Sequence, residues 1–282
     1  MESTGVYWKP VWNVLEGGFE LLLVNPLDLK QVPGRKSDIR DCQWIAKLLQ
    51  HGLLRASFVP PAALRELRDL TRHRAQLQDE HTRIANRIHK TLEDANIKLG
   101  SVASDILGVS GREMLQALLK GTASPAEMAE LARGRMRRQI PALREALEGR
   151  VTAHHRFMLT QLLAHLSQLE SQVETFNARI QEAIRPFLSR EDEERLDAIP
   201  GMNRISIENV VAEIGTNMSQ FPTAKHLASW AGMCPGNEES AGKRKRTKTT
   251  KGNRWVRRAL CEAAWAAART RESYLGAQFR RL

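Results

Sequence analysis

The sequence predicts three units in series: an α/β piece over residues 1–61, a long helical coiled-coil region over 62–190, and an all-α unit over 191–282 with a helix-hairpin-helix and a basic loop. Three observations predict this order. Short apolar runs bounded by turn residues alternate with amphipathic stretches at the start of the chain. Apolar residues then recur at spacings of three and four. Last, two helical stretches flank Pro200-Gly201, and a run of Lys and Arg follows them.

The stretch GVYWKPVWNVLEGG reads as a short amphipathic helix stopped by Gly17 and Gly18, since glycine readily supplies a left-handed C-cap. FELLLVNP is an apolar run of strand length ended by Asn25-Pro26, a candidate buried strand. VPGRK is a turn or loop, and Ser37 is a suitable N-cap for a helix running to about His51. ASFVPP is a short strand closed by two prolines. The strands are few for a sheet.

From Ala62 the sequence becomes long, charged helix. Leu159, Leu162, Leu166, Leu169, Val173, Phe176, Ile180 and Ala183 form an a/d seam, which predicts a coiled-coil pair within one chain or between two. In the earlier helix Leu67, Leu70, Leu77, Ile84 and Ile88 keep the register, while Arg74 and His81 interrupt it. Gly100, Gly108, Gly111 and GTASP break the region between. The role expected here is a spacer or dimerisation arm, with His154 and His155 solvated.

In LDAIPGMNRISIENVVAEIG the two helical stretches around Pro200-Gly201 resemble a helix-hairpin-helix, a turn that points backbone N–H groups at phosphate without reading sequence. A plain helical turn is the alternative. FPTAKHLASWAG is a further helix, followed by a loop, MCPGNEESAGKRKRTKTTKGN. The last helix, RWVRRALCEAAWAAART, carries Arg254, Arg257 and Arg258 on one side.

The chain has 43 Lys and Arg against 32 Asp and Glu, a formal charge of +11. Such an excess favours a polyanionic partner, nucleic acid before membrane, because each neutralised phosphate releases counterions. The charge is clustered: between residues 243 and 251 six of nine positions are basic, namely Lys243, Arg244, Lys245, Arg246, Lys248 and Lys251. The run is either a solvated segment or an ordered phosphate-gripping loop, and its flanks favour the second. Cys42, Cys234 and Cys261 stand far apart with no C-x-x-C spacing, which suits a reducing cytosol and argues against zinc knuckles or a disulfide framework. No apolar run reaches the length of a membrane span, and residues 1–20 lack signal-peptide character, so a soluble intracellular protein is expected.

Two candidate sites remain open at this point. Asp38 and Asp41, three positions apart at a helix start, are either first-turn acids favoured by the helix dipole or part of a hard-cation site. A cation site needs more carboxylates, and Glu2 is the available third. Ser240, followed by the small residues Ala241 and Gly242, is either a loop serine facing water or a nucleophile; the hydroxyl attacks phosphate only with a base or metal to activate it and cations to stabilise the transition state.

Three ordered stretches, ESTGVYWKPVWNVLE with LLLVNP, VPGRKSDIRDCQWIAKLLQHGLLRASFVPP, and IPGMNRISIENVVAEIG through AGMCPGNEESAGKRK to KGNRWVRRALCEAAW, resemble the DEDD transposases of the insertion sequence 110 family. Pilin-gene-inverting site-specific recombinases of the same group are the runner-up. The resemblance implies a RuvC-like, RNase H-type N-terminal domain whose acidic residues hold Mg²⁺; by motif Glu2, Asp38 and Asp41 take three of the four positions. It implies a C-terminal transposase domain in which Ser240 attacks the DNA backbone covalently, with Gly201, the basic loop, Arg254 and Arg257 on nucleic acid. It further implies a bridge RNA that pairs with target and donor DNA, homodimers or tetramers held through the coiled coil, and a place at the bacterial nucleoid in the cytoplasm. The family's first Asp lies on a strand before the segment matched here; Asp28 matches nothing in the motif, and PGMNRIS replaces the commoner hairpin turn. On that basis the chain is expected to be truncated at its N-terminus, with the first strands missing and strand exchange impaired. A non-catalytic DNA- or RNA-binding coiled-coil dimer and a hydrolytic nuclease with no serine step are the competing expectations.

Overall fold

Helices account for the architecture, in chain order α1 (Trp8–Leu15), α2 (Asp38–Gln50), α3 (Ala62–Asp94), α4 (Leu99–Val102), α5 (Val109–Lys120), α6 (Pro125–Ala129), α7 (Ile140–Ala146), α8 (Ala153–Ile184), α9 (Arg190–Asp197), α10 (Arg204–Ile214), α11 (Ala224–Trp230), α12 (Arg254–Arg269) and α13 (Tyr274–Arg281). A hairpin of β1 (Glu238–Ser240) and β2 (Lys243–Arg246) lies between α11 and α12. The computed structural model describes residues 1–26, 29, 38–235, 238–240, 243–246, 249 and 251–281; at 38–41, 238–240 and 243–246 it describes the backbone. The chain forms two units, Met1–Arg65 with Asn217–Leu227, and Glu66–Thr216 with Ala228–Leu282.

In the larger unit α3 and α8 run antiparallel. Three cross-contacts fix the direction: Arg74 to Asn177 at 3.2 Å, His81 to Glu170 at 3.2 Å, and His155 to Asp94 at 3.0 Å. Helix α3 stops where Asn96 turns left-handed (φ 57°), which lets the Ile97 N–H donate back to the Leu92 carbonyl at 2.8 Å. Thr152 caps α8 in a reciprocal box with His155, whose other ring nitrogen faces Asp94. The expectation of a solvated His155 is therefore wrong: it ties two helix ends together.

The a/d seam of α8 is filled from its own chain. Leu159, Leu166 and Leu169 are buried with Ile84, Ile88 and Leu92 of α3, and also with Met114, Leu115 and Leu118 of α5 and Leu143 of α7. The distal half of the helix pair is thus wrapped by small helices into one core and is not a bare two-stranded rope. The proximal half of α3 has different neighbours. There Arg68, Arg72 and Arg74 reach α10, and Asp79 accepts from Arg258 of α12 at 2.7 Å. That last contact raises the Arg258 pKa above its ordinary value and lowers that of Asp79.

The α/β expectation for residues 1–61, and with it a RuvC-like, RNase H-type sheet, does not hold. Among the described residues of this region no strand forms; the pieces meet only in isolated bridges, Glu2 with Val24 and Glu16 with Phe19 in parallel and Val24 with Ala56 antiparallel. The apolar run is buried as foreseen, at Leu23 and Val24, but its ladder cannot lengthen. Thr4-Gly5 turns away on one side (Gly5 φ 54°), Pro60-Pro61 lack N–H donors on the other, and Asn25-Pro26 end the centre. Arg65, at the start of α3, donates to Glu16 at 3.0 Å and holds that carboxyl down at about 2. The Ser37 cap lies outside the described residues. An all-α unit over 191–282 also fails, at the β1–β2 hairpin. Among the described residues no helix is long and apolar enough to cross a membrane.

Candidate nucleic-acid interface

The basic run is held at its base by backbone. Asn253 N–H donates to the Trp230 carbonyl at 3.1 Å and Met233 N–H to the Ala228 carbonyl at 2.9 Å, while Pro235 and Thr249 form an antiparallel bridge. Gly252 lies so close to α11 that a Cβ there would sit 2.2 Å from the Gly232 nitrogen and 2.5 Å from the Trp230 carbonyl oxygen. Above this base the chain doubles back. The antiparallel register sets Glu238 opposite Arg246, Glu239 opposite Arg244 and Ser240 opposite Lys243, with a bulge between Glu238 and Glu239. The register thus places acidic positions of β1 across from basic positions of β2. Ser240 is the last residue of β1, at the closed end.

Helix α12 grows directly from this base. Asn253 is its N-cap: its Oδ1 accepts from Trp255 N–H at 2.9 Å and Val256 N–H at 3.3 Å. Its Nδ2 donates to Glu213 Oε2 at 2.6 Å. Glu213, only 1% exposed on α10, also accepts from Arg72 at 2.6 and 2.8 Å. Arg68 donates to the Ala212 carbonyl at 2.9 Å and to the Glu213 carbonyl; burial lowers its pKa to about 10, with the Glu213 charge opposing that fall. Arg254 lies 4.7 Å over the Trp255 ring and Arg72 lies 5.8 Å from it. One buried carboxylate thus fixes where the arginine-bearing helix begins.

The other expected residues are placed as follows. Lys251, Arg254 and Arg257 are exposed. Lys243, Arg244, Lys245 and Arg246 form β2, and Lys248 lies outside the described residues. Gly201 sits between α9 and α10 with φ 88°, and a Cβ on it would meet the Ala263 carbonyl oxygen at 2.1 Å. It lets the turn pack on α12. Asp38 and Asp41 share the first turn of α2, at a spacing that puts two residues on one helix face. Glu2 is bridged to Val24, and its carboxylate accepts from Thr4 Oγ1 at 3.2 Å. Among the described residues no group of three metal-ligating side chains is assembled.

Two family models match. One, described as Transposase IS116/IS110/IS902 family, covers residues 193–280, from α9 through the hairpin into α13. A second, a DEDD transposase model of the IS110 group, covers residues 1–97. The chain belongs to the IS110 transposase family. Together the matches span about two thirds of the 282 residues. Members are DNA transposases, and the DEDD assignment suggests a divalent metal. No curated protein matches the chain. The DEDD match persists even though no strand forms among the described residues of its region, so the family assignment and the fold expectation separate here.

Sequence reasoning missed Asn253 and Glu213. The N-R-W start of α12 held the signal, an Asn immediately before an amphipathic helix; nothing local marks Glu213 as its partner. Asn253→Asp keeps the cap acceptor but sets a carboxylate against Glu213. The expected outcome is a loss of about 1–3 kcal/mol in denaturant unfolding, with Asn253→Ser, which adds no charge, losing less.

Proposed function

We propose that this transposase cleaves and rejoins DNA strands with Ser240 as nucleophile. What supports the reading is the hairpin register, which sets Ser240 opposite Lys243 at the closed end of a cationic ladder within the transposase match. The Ser240 hydroxyl oxygen forms a bond to phosphorus, the bond from phosphorus to one sugar oxygen breaks, and that oxygen leaves with a proton. The result is a phosphoserine link between protein and DNA. Lys243, Arg244, Lys245 and Arg246 supply positive charge to the crowded phosphate, and Lys248, Lys251, Arg254 and Arg257 hold the flanking backbone.

Glu2, Asp38 and Asp41 are all carboxylates, the oxygen-donor chemistry Mg²⁺ prefers, and these residues would hold it. When bound, the ion supplies Lewis-acid stabilisation of a phosphoryl oxygen. In this proposal residues 1–61 carry the carboxylates, 62–190 act as spacer, and 191–282 handle DNA. A structured bridge RNA selects the DNA partners, and dimers or tetramers bring one subunit's carboxylates to another's serine.

The test is denaturing electrophoresis of the whole chain with end-labelled donor DNA and Mg²⁺. A labelled protein–DNA adduct is expected, and Ser240→Ala is expected to lower it at least 100-fold while leaving DNA binding within about 2-fold. Binding with no adduct at any Mg²⁺ concentration would identify a non-catalytic binder. Free DNA ends with no adduct would identify a hydrolytic nuclease.

A further inference from the structure

The exposed side of α12 does not end with the arginines at its start. At 3.6 residues per turn, Arg254, Cys261, Trp265 and Arg269 fall along one stripe with Arg258, which is half-buried and paired with Asp79 and Glu262, opposite the buried Val256, Ala259, Ala263 and Ala267. Trp265 is 59% exposed, an unusual state for so large an apolar ring. Phe279 of α13, 51% exposed, meets it edge-on with centroids 5.7 Å apart and the planes at 65°. The pair is built rather than incidental. Gly276 lets α13 fold back on the end of α12: a Cβ there would sit 2.6 Å from the Thr270 carbonyl oxygen. The Ser273 hydroxyl caps the turn, accepting from Gly276 N–H at 3.0 Å.

We propose that Trp265 and Phe279 form a stacking platform for unpaired bases of a nucleic acid strand whose phosphates follow the arginine stripe of α12. Residues 251–281 contain eight Lys and Arg and two Glu, so the aromatic pair lies in a strongly cationic neighbourhood. An exposed indole face beside guanidinium groups suits single-stranded nucleic acid, where every base offers a π-face and every phosphate a charge. A closed duplex keeps its bases stacked inside and has nothing to offer Trp265. A second copy of this chain would bring the same positive face against itself, which disfavours a two-fold contact through the patch. From Arg254 to Trp265 the helix rises about 16 Å, so the platform lies well beyond the serine hairpin's base. The inference rests on the C-terminal unit binding nucleic acid at all, and the experiment separates the two.

Fluorescence anisotropy of the full chain with a labelled 20-nucleotide single strand and with a 20-base-pair duplex is the measurement. Trp265→Ala is expected to weaken single-strand binding about 10-fold or more and duplex binding less than 2-fold. Trp265→Tyr, which keeps an aromatic face, is expected to restore single-strand affinity to within about 3-fold; that rescue excludes a mere folding defect. An equal loss on both probes, or no loss on either, overturns the platform. So does a change in sedimentation state on Trp265→Ala with single-strand binding intact, which would make the patch a contact between copies. If the unaltered chain binds neither probe, the nucleic-acid reading of the whole unit fails instead.

Discussion

Glu208→Ala is expected to cost the larger unit about 3–5 kcal/mol, the largest single loss any side-chain truncation here should produce. Arg74 is 0% exposed and Glu208 3% exposed, and the two are in direct contact. Arg74 Nη1 also reaches Asn177 at 3.2 Å and its Nη2 reaches Asn209 at 2.9 Å, both neutral acceptors, while its buried Nε has no partner among the described residues. Removing Glu208 leaves a guanidinium buried among groups that cannot balance its charge, and Arg204, 3.8 Å from the same carboxylate, loses its partner as well. Denaturant unfolding followed by circular dichroism measures the loss as a fall in midpoint. Because the pair is shielded from solvent, the loss should persist at 1 M salt, where exposed ion pairs are screened. The double change Arg74→Met with Glu208→Leu is expected to recover most of the stability, since an apolar pair of similar volume avoids the desolvation cost. A loss below about 1 kcal/mol for Glu208→Ala would show that the contact does not join α3 to α10.

Gly201→Ala ranks second. Two independent terms act on it: a left-handed φ of 88° that L-residues adopt at a cost of about 1–2 kcal/mol, and a methyl 2.1 Å from the Ala263 carbonyl oxygen and 2.6 Å from the Ala267 nitrogen. Both clashing atoms are backbone, so no rotamer change relieves them, and α12 must move away. Overpacking of this kind adds about 1–3 kcal/mol. The midpoint of unfolding should fall accordingly. Amide exchange should quicken in α12 around Ala263 and Ala267 and stay slow in the distal core around Leu115 and Leu159. Uniform exchange across both regions would mean that the turn and α12 are not in contact.

Much of the helical frame was legible because helices announce themselves through periodicity. The seams of α3 and α8 follow from residues three and four apart, and each bears on the core as that spacing requires. Arg74 and His81 broke that pattern on the page, and the break was real: each sits where another element comes in, Glu208 on α10 and Glu170 on α8. No local signal names a partner that far along the chain. The N-terminal strands failed for a related reason. An apolar run such as 19–24 specifies burial, yet a sheet is a property of several runs at once, and the neighbours of Val24 supply single bridges. The β1–β2 hairpin escaped because strand recognition leans on apolar alternation, whereas here the two strands read EES and KRKR, with no apolar residue to alternate. For the candidate site, Ser240 and the arginines can be proposed from their chemistry alone, whereas the buried Glu213–Asn253 brace at the start of α12 has no local signal.

The antiparallel course of α3 and α8 has a consequence for how the molecule could be resized. Chain enters α3 and leaves α8 at the same end, while the small helices between them wrap the other half, tens of ångströms along the pair. The arrangement is that of a carpenter's rule folded once. Taking one heptad from each arm would draw the distal head in by about 10 Å and leave every facing pair in register, so reach is a dimension that insertions or deletions could alter without disturbing the serine hairpin or its braces.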